Sequence, residues 1–361
     1  MIVVVKVGTS SITRETGEID DDAVHRLGEG LAALRSDGHE PVLVSSGAIA
    51  AGMPALGITH RPADVGLLQA VAAVGQPRLM ERFSGVLGSY GIVAGQVLLT
   101  PGDFGVRSRY LHARSTLRRL LDLGVLPVVN ENDTVADDEI RFGDNDRMAA
   151  LVAQMVGAEL LVMLTDQAGL HTADPRLDAE ASLIEEIQEV DAALETLAGS
   201  AGTARGSGGM ASKLAAAKIA AWSGVSVVIA DARTPRVLRE TVAGRSVGTR
   251  VRPRSTRLPS RKVWIAFARP SSGRVIVDEG ARRALLDDGR SLLAAGVVGA
   301  DGDFEADDAV EVLGPDGVAF AKGLTRYSAE ALRAVTGRRS DELPEGAPHE
   351  VVHRDDLVVL P

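Results

Sequence analysis

The sequence predicts an α/β fold, a mostly parallel sheet sandwiched by helices, followed by a small β-rich domain. Three observations carry this prediction. Short apolar runs alternate with helical patterns from residue 1 to about residue 250. Those runs are nearly continuous, as expected for strands buried on both faces. Past a basic, proline-containing stretch at 250–262, the pattern changes to short strands separated by Gly and Asp turns. The expected boundaries are a first domain over 1–250, a linker over 251–270 and a second domain over 271–361.

The first apolar run, residues 2–5, ends on Lys6 and is followed by Val7-Gly8-Thr9-Ser10. Val24, Leu27, Leu31 and Leu34 then share one helical face, between an acidic start at Asp20-Asp21-Asp22 and a stop at Gly38. The second run, 41–44, leads into Ser45-Ser46-Gly47, and the third is 93–99. Leu117, Leu120 and Leu121 begin another helical stripe. The fourth run, 125–129, precedes Asn130-Glu131-Asn132-Asp133. Gly143-Asp144-Asn145-Asp146 opens a helix carrying Met148, Leu151, Val152 and Met155. The fifth run, 160–164, is followed by Thr165-Asp166, and the sixth is 225–229. Between them, Gly206-Ser207-Gly208-Gly209 precedes a helical stretch over 211–221 that contains Lys213. In the second domain, strands are expected at 274–277, 310–313, 318–321 and 357–360.

Composition narrows the function classes. The chain has 361 residues, 45% of them hydrophobic, enough for two domains with a substantial core. Aromatics are only 3%, so the core must be aliphatic. A net charge of −10 argues against nucleic acid or an anionic membrane as the main partner. With no cysteine, thiol nucleophiles, disulfides and cysteine–zinc sites are excluded. No basic leader precedes the first run and no apolar stretch reaches about 20 residues, so a cytoplasmic protein without a membrane span is expected.

The polar motifs fall at the carboxyl ends of the expected strands, where ligands of open α/β sheets bind. Lys6 and Lys213 each stand beside glycines, whose backbone N–H groups can approach an anion closely. Two such places form two cationic walls around one polyphosphate, the electrostatic requirement of phosphoryl transfer. Gly208-Gly209 also directs a helix N-terminus at the same point, although a flexible surface loop would look similar. The spacing of a Walker loop is absent. The acidic clusters around Asp133 and Asp146 repel one another and need a reason. Helix capping accounts for one aspartate; binding an ammonium group and holding the lysines accounts for more. Ser45-Ser46-Gly47 reads either as a packed strand-to-helix turn or as donors for a substrate carboxylate. His349-Glu350-Val351-Val352-His353 matches a zinc protease string, but Pro348, two valines and the following apolar run make it a strand, which splays the ligands. No metal site is expected from protein ligands.

The motifs V-K-V-G-T-S, S-S-G-A-I-A-A-G, V-N-E-N-D-T-V, F-G-D-N-D, L-T-D-Q-A-G-L and G-S-G-G-M, in this order, resemble the amino acid kinase family. They are most similar to its branch that phosphorylates the γ-carboxylate of L-glutamate at the start of proline biosynthesis. V-D-E-G-A at 277–281 and H-R-D-D at 353–356 resemble the PUA domain that many bacterial members carry.

The resemblance implies ATP and Mg²⁺ as cofactors. It implies that Lys6 and Lys213 neutralise the transferring phosphoryl group and that Asp146 orients both lysines. Ser46, Gly47, Asp133, Asp144 and Asn145 are the implied glutamate contacts. Lys6, Gly8, Thr165, Asp166, Ser207, Gly208, Gly209, Met210, Ala211, Ser212 and Lys213 are the implied nucleotide contacts. His112 and His171 stand where Asn and Tyr are common. Feedback inhibition by proline is implied, and a downstream reductase and a homo-oligomer are expected. The rival readings are a kinase of the same fold acting on acetylglutamate, aspartate, carbamate or a nucleoside monophosphate, and an RNA-binding PUA protein. Against the last, residues 261–361 hold 13 Lys and Arg but 18 Asp and Glu.

Overall fold

The computed structural model describes residues 1–14, 18–135, 145–175, 177–178, 180–199 and 209–360. The chain divides into two compact units, Met1–Asp103 with Arg107–Arg257, and Phe104–Val106 with Leu258–Pro361.

The strands of the first unit are β1 (Ile2–Val7), β2 (Glu40–Val44), β3 (Ala94–Leu99), β4 (Leu126–Glu131), β5 (Leu160–Thr165), β6 (Glu186–Ile187), β7 (Ser226–Asp231) and β8 (Thr249–Val251). They form one sheet in the order β3-β4-β2-β1-β5-β7-β8-β6. All pairings are parallel except β7 with β8. Each of the six apolar runs coincides with one of these strands, three of them beginning one residue early, at Val93, Val125 and Val225. β6 and β8, two and three residues long, are too short to carry such a signature.

The helices from residue 1 to Arg257 are α1 (Thr9–Ile12), α2 (Asp21–Ser36), α3 (Ala48–Gly52), α4 (Val65–Ser89), α5 (Pro101–Gly105), α6 (Arg107–Asp122), α7 (Asn145–Val156), α8 (Ala192–Gly199), α9 (Met210–Trp222) and α10 (Val237–Val242); all belong to the first unit except the Phe104–Gly105 end of α5. α2 starts where Asp20 accepts hydrogen bonds from the N–H groups of Asp22 and Ala23, satisfying orphan donors of the first turn. It stops before Gly38, which takes the left-handed conformation at φ 81°.

Side-chain alternation in β1 sets the two layers. Val3, Val5 and Val7 enter a core with Leu27, Leu31 and Leu34 of α2, Phe83 of α4 and Leu238 of α10. With a strand period of two, Val4 and Lys6 must face the other side. There α7 packs against β1 and α9. α7 is buried along its whole length except at Arg147, so it is a central helix rather than a surface one.

The chain leaves β1 toward β2 on one side and β5 toward β7 on the other. Neighbouring strands whose connections diverge open a crevice at their carboxyl ends. Lys6 and Thr165 lie at the two sides of that crevice.

The second unit is built on β9 (Ser271–Val277), β10 (Leu292–Leu293), β11 (Val297–Gly302), β12 (Ala309–Leu313), β13 (Ala319–Thr325) and β14 (Glu350–Val359), in the order β10-β14-β13-β12-β9-β11. Its own core includes Val275, Phe304, Val310, Leu332 and Val351. The His349–His353 string runs into β14, so its two imidazoles do not share a helical face. Among the described residues no helix is long and apolar enough to cross a membrane.

Candidate active site

Three elements far apart in sequence meet beside the end of β1. Lys6 projects from β1, Asp146 is the second residue of α7, and Lys213 sits in the first turn of α9. Lys6 Nζ lies 2.5 Å from Asp146 Oδ1, and Lys213 Nζ lies 3.2 Å from Asp146 Oδ2. Ser212 Oγ–H donates to Asp146 Oδ2 at 2.8 Å. Lys6, Lys213 and Asp146 are only 5%, 6% and 1% exposed. Burial pushes the Asp146 carboxyl up, but the two ammonium groups and the hydrogen bonds from Lys6 and Ser212 outweigh it and bring it down to about 2.

Two buried ammonium groups from separate elements converge on the Asp146 carboxylate, so an anion brought to this point is attracted by both. The approach to Lys6 is open. A methyl group on Gly8 would stand 3.6 Å from Lys6 Nζ and 3.9 Å from the Leu164 carbonyl oxygen, filling the approach to the ammonium. Gly209 precedes α9 as its N-cap, and Met210 and Ala211 begin the helix, so the positive ends of both α7 and α9 lie at the cluster. Thr165 is buried and donates to Asp166 Oδ1 at 3.2 Å, and Arg233 donates to the Asp166 backbone oxygen at 2.9 Å.

A second group adjoins the first through Asn145, the residue before Asp146. Its Nδ2 donates to the Ser45 carbonyl at 3.0 Å, Ser46 Oγ at 2.9 Å and Asn130 Oδ1 at 3.2 Å. The Ser45 carbonyl accepts only, so the amide orientation is determined. Asn145 Oδ1 is left buried without a hydrogen-bond partner, and such an atom asks for a donor. Gly47 turns the chain from β2 into α3 at φ 100°, a conformation that a side chain would strain. Asp133 follows β4, and burial pushes its carboxyl up to about 6, with the Arg61 charge opposing.

The structure therefore brings Lys6, Lys213, Asp146 and Ser212 together, and joins Ser46 and Asn145 beside them. Asp144, Ser207 and Gly208 lie outside the described residues. A cleft of about 600 Å³ reaches Thr165 and Asp166 from the α2 and α10 side. Neither Lys6 nor Lys213 is among its described lining residues. Three participants escaped the motif reading: the Ser45 carbonyl, the Asn130 amide and Gln76. Asn130 Nδ2 donates to Gln76 Oε1 at 2.7 Å. Asn130 lies within a quoted motif, but its polar neighbours hide its part. Gln76 stands out only as an uncharged polar residue in a largely apolar helix.

Comparison with known proteins agrees with this geometry. Residues 1–231 match the model of the amino acid kinase family, and residues 273–346 match that of the PUA domain. The chain is 47% identical over 366 aligned positions to the glutamate 5-kinase of Herpetosiphon aurantiacus, covering 100% of this chain and 98% of that one. It is 46% identical to the glutamate 5-kinase of Deinococcus radiodurans, with both chains fully covered. Against that of Thermoanaerobacter sp. (strain X514) the identity is 44%, covering 100% and 98%. The family-model match over residues 1–231 and relatives 44–47% identical along the full chain show that this chain belongs to the amino acid kinase family, in its PUA-bearing glutamate 5-kinase branch.

Proposed function

We propose that the protein transfers the γ-phosphoryl group of MgATP to the γ-carboxylate of L-glutamate, giving γ-glutamyl phosphate and ADP. The observation that supports this reading is the convergence of the Lys6 and Lys213 ammonium groups on Asp146, next to an unfilled acceptor on Asn145. The γ-carboxylate ionises at about 4.3, so it attacks at neutral pH without a general base. A carboxylate oxygen forms the new bond to phosphorus as the bond to the ADP oxygen breaks. The obstacle is repulsion between two anions, which two converging ammonium groups reduce as charge develops.

Lys6 and Lys213 face the phosphoryl group, and Asp146 with Ser212 keeps them aimed. Gly8, Thr165, Asp166 and the 207–211 segment hold the nucleotide. On the acceptor side, Asn145 Oδ1 and Asp133 take the substrate ammonium, Asp144 supports it, and Ser46 and Gly47 receive the α-carboxylate. Mg²⁺ neutralises phosphate charge when bound. Asp146, engaged by two ammonium groups and a hydroxyl, would not be the residue to hold it, and the nucleotide phosphates would supply its ligands.

The product is a labile acyl phosphate, so a reductase that consumes it acts next. The protein works in the cytoplasm as a homo-oligomer, proline inhibits it from the glutamate site, and the acidic PUA unit serves regulation or assembly rather than RNA binding. The test is ATP with glutamate and hydroxylamine, which traps γ-glutamyl phosphate as the hydroxamate. Hydroxamate formation is expected. Turnover with aspartate, acetylglutamate or UMP but none with glutamate would overturn the reading.

A further inference from the structure

We infer that Gln76 on α4 is a positioning residue for glutamate, acting through Asn130 on the amide of Asn145; this rests on the glutamate reading above. The chain of contacts has fixed polarity because both ends are tied to backbone groups. The Glu131 N–H donates to Asn130 Oδ1 at 2.9 Å, so Asn130 must turn its Nδ2 the other way. That Nδ2 meets Gln76 Oε1 at 2.7 Å. The same Asn130 Oδ1 accepts from Asn145 Nδ2 at 3.2 Å, while the Ser45 carbonyl accepts from Asn145 Nδ2 at 3.0 Å. Asn145 is thereby held with Oδ1 open, the atom that would accept from the substrate ammonium.

Gln76 reaches this chain because α3 and α4 touch backbone to backbone. A Cβ on Gly75 would stand 1.8 Å from the Ala48 carbonyl oxygen, and one on Gly52 would stand 2.1 Å from that of Val71. Both positions therefore require glycine. The contact locks Gln76 to the turn that carries Ser46 and Gly47. Asn130 is 2% exposed, so its Nδ2 has no water to replace a lost acceptor. Without Gln76 Oε1 the Asn130 Nδ2 is left a buried donor with its acceptor removed, which loosens the amide whose Oδ1 holds Asn145. Acceptor polarity at residue 76 is therefore transmitted to the substrate contact.

The test compares two substitutions of similar length. Gln76→Met removes the acceptor and Gln76→Glu keeps it. Gln76→Met is expected to raise the KM for glutamate on the order of 10-fold, the size of one unsatisfied buried donor, with kcat and the KM for ATP within about 3-fold. Gln76→Glu should hold the glutamate KM within about 3-fold of wild type. In an Asn130→Ala background, Gln76→Met should add nothing further. An unchanged glutamate KM in Gln76→Met overturns the relay. So does equal damage by Met and Glu accompanied by a raised KM for ATP and a lowered Tm, or full additivity with Asn130→Ala. A wild-type protein that forms no hydroxamate with glutamate removes the glutamate reading and this inference together. One that forms it, with Gln76→Met unaffected, removes the relay alone.

Discussion

Asp146 and Asp133 are two shielded aspartates whose ionisation is driven in opposite directions. Burial disfavours the charged form of both. Asp146 has two ammonium groups and a hydroxyl built around it and falls to about 2. Asp133, with the Arg61 charge opposing its burial, still rises to about 6. Asp146 receives its countercharge when the chain folds, whereas Asp133 has no comparable pair of cations among the described residues. On the proposed function the first is a permanent scaffold for phosphate chemistry and the second takes a cation that arrives with the substrate.

The largest effects should follow from breaking the permanent cluster. Asp146→Asn removes the carboxylate that two buried ammonium groups share, and unfolding by denaturant should show a loss of about 3–5 kcal/mol. Lys213→Ala should lower kcat on the order of 100- to 1,000-fold in steady-state assays, with the KM for glutamate within a few-fold of wild type. An equal rise in KM and fall in kcat would blur the line between the two aspartates.

Next in size is Asp133→Ala. Its glutamate KM should rise on the order of 10- to 100-fold with kcat and the ATP KM little changed, since an ammonium contact made equally in ground and transition states is lost. A kcat defect instead would place Asp133 in the scaffold.

The pH dependence sharpens the contrast further. Asp133 is a carboxylate only above about 6, so kcat/KM for glutamate should fall as pH drops through 6. The Asp133→Asn enzyme, already weak, should lack that limb. Asp146, at about 2, stays charged throughout the assay range.

The smallest expected effect is on stability. Asp133 has a raised folded-state pKa, so the folded state binds more protons between its ordinary 3.8 and about 6. Its penalty is absent below that window, grows through it and is complete above. Asp133→Asn should therefore stabilise the ligand-free protein at pH 7, on the order of 1 kcal/mol once solvent screening is allowed for. Asp146 behaves in the reverse sense. Its contribution is complete above 3.8 and is lost as pH falls through about 2. Thermal melts across pH 4–8 would show whether the substitution at Asp133 helps only above the window.

Much of this was legible in the residue order because it is local. The apolar runs at 2–5 and 160–164 are strands because uninterrupted β-branched and aliphatic residues suit burial on both faces. The end of each run says where a ligand edge lies, and Lys6 after the first run already stands on it. The start of α9 after Gly209 and the helix after Asp144 follow from local rules of the same kind.

What the sequence by itself determined is therefore the strands and helices, their likeness to a kinase family, and a short set of polar residues at one sheet edge. Tertiary structure alone decided the opposite ionisation of Asp146 and Asp133, and that Gln76 meets Asn145 through Asn130. The cause is that secondary structure is written over a few neighbouring residues, while ionisation and hydrogen bonding depend on distance through space. Asn145 and the Ser45 carbonyl are 100 residues apart in the chain and 3.0 Å apart in the fold. No local pattern encodes that separation, and the charge state of each aspartate is the sum of groups brought to it by several such meetings.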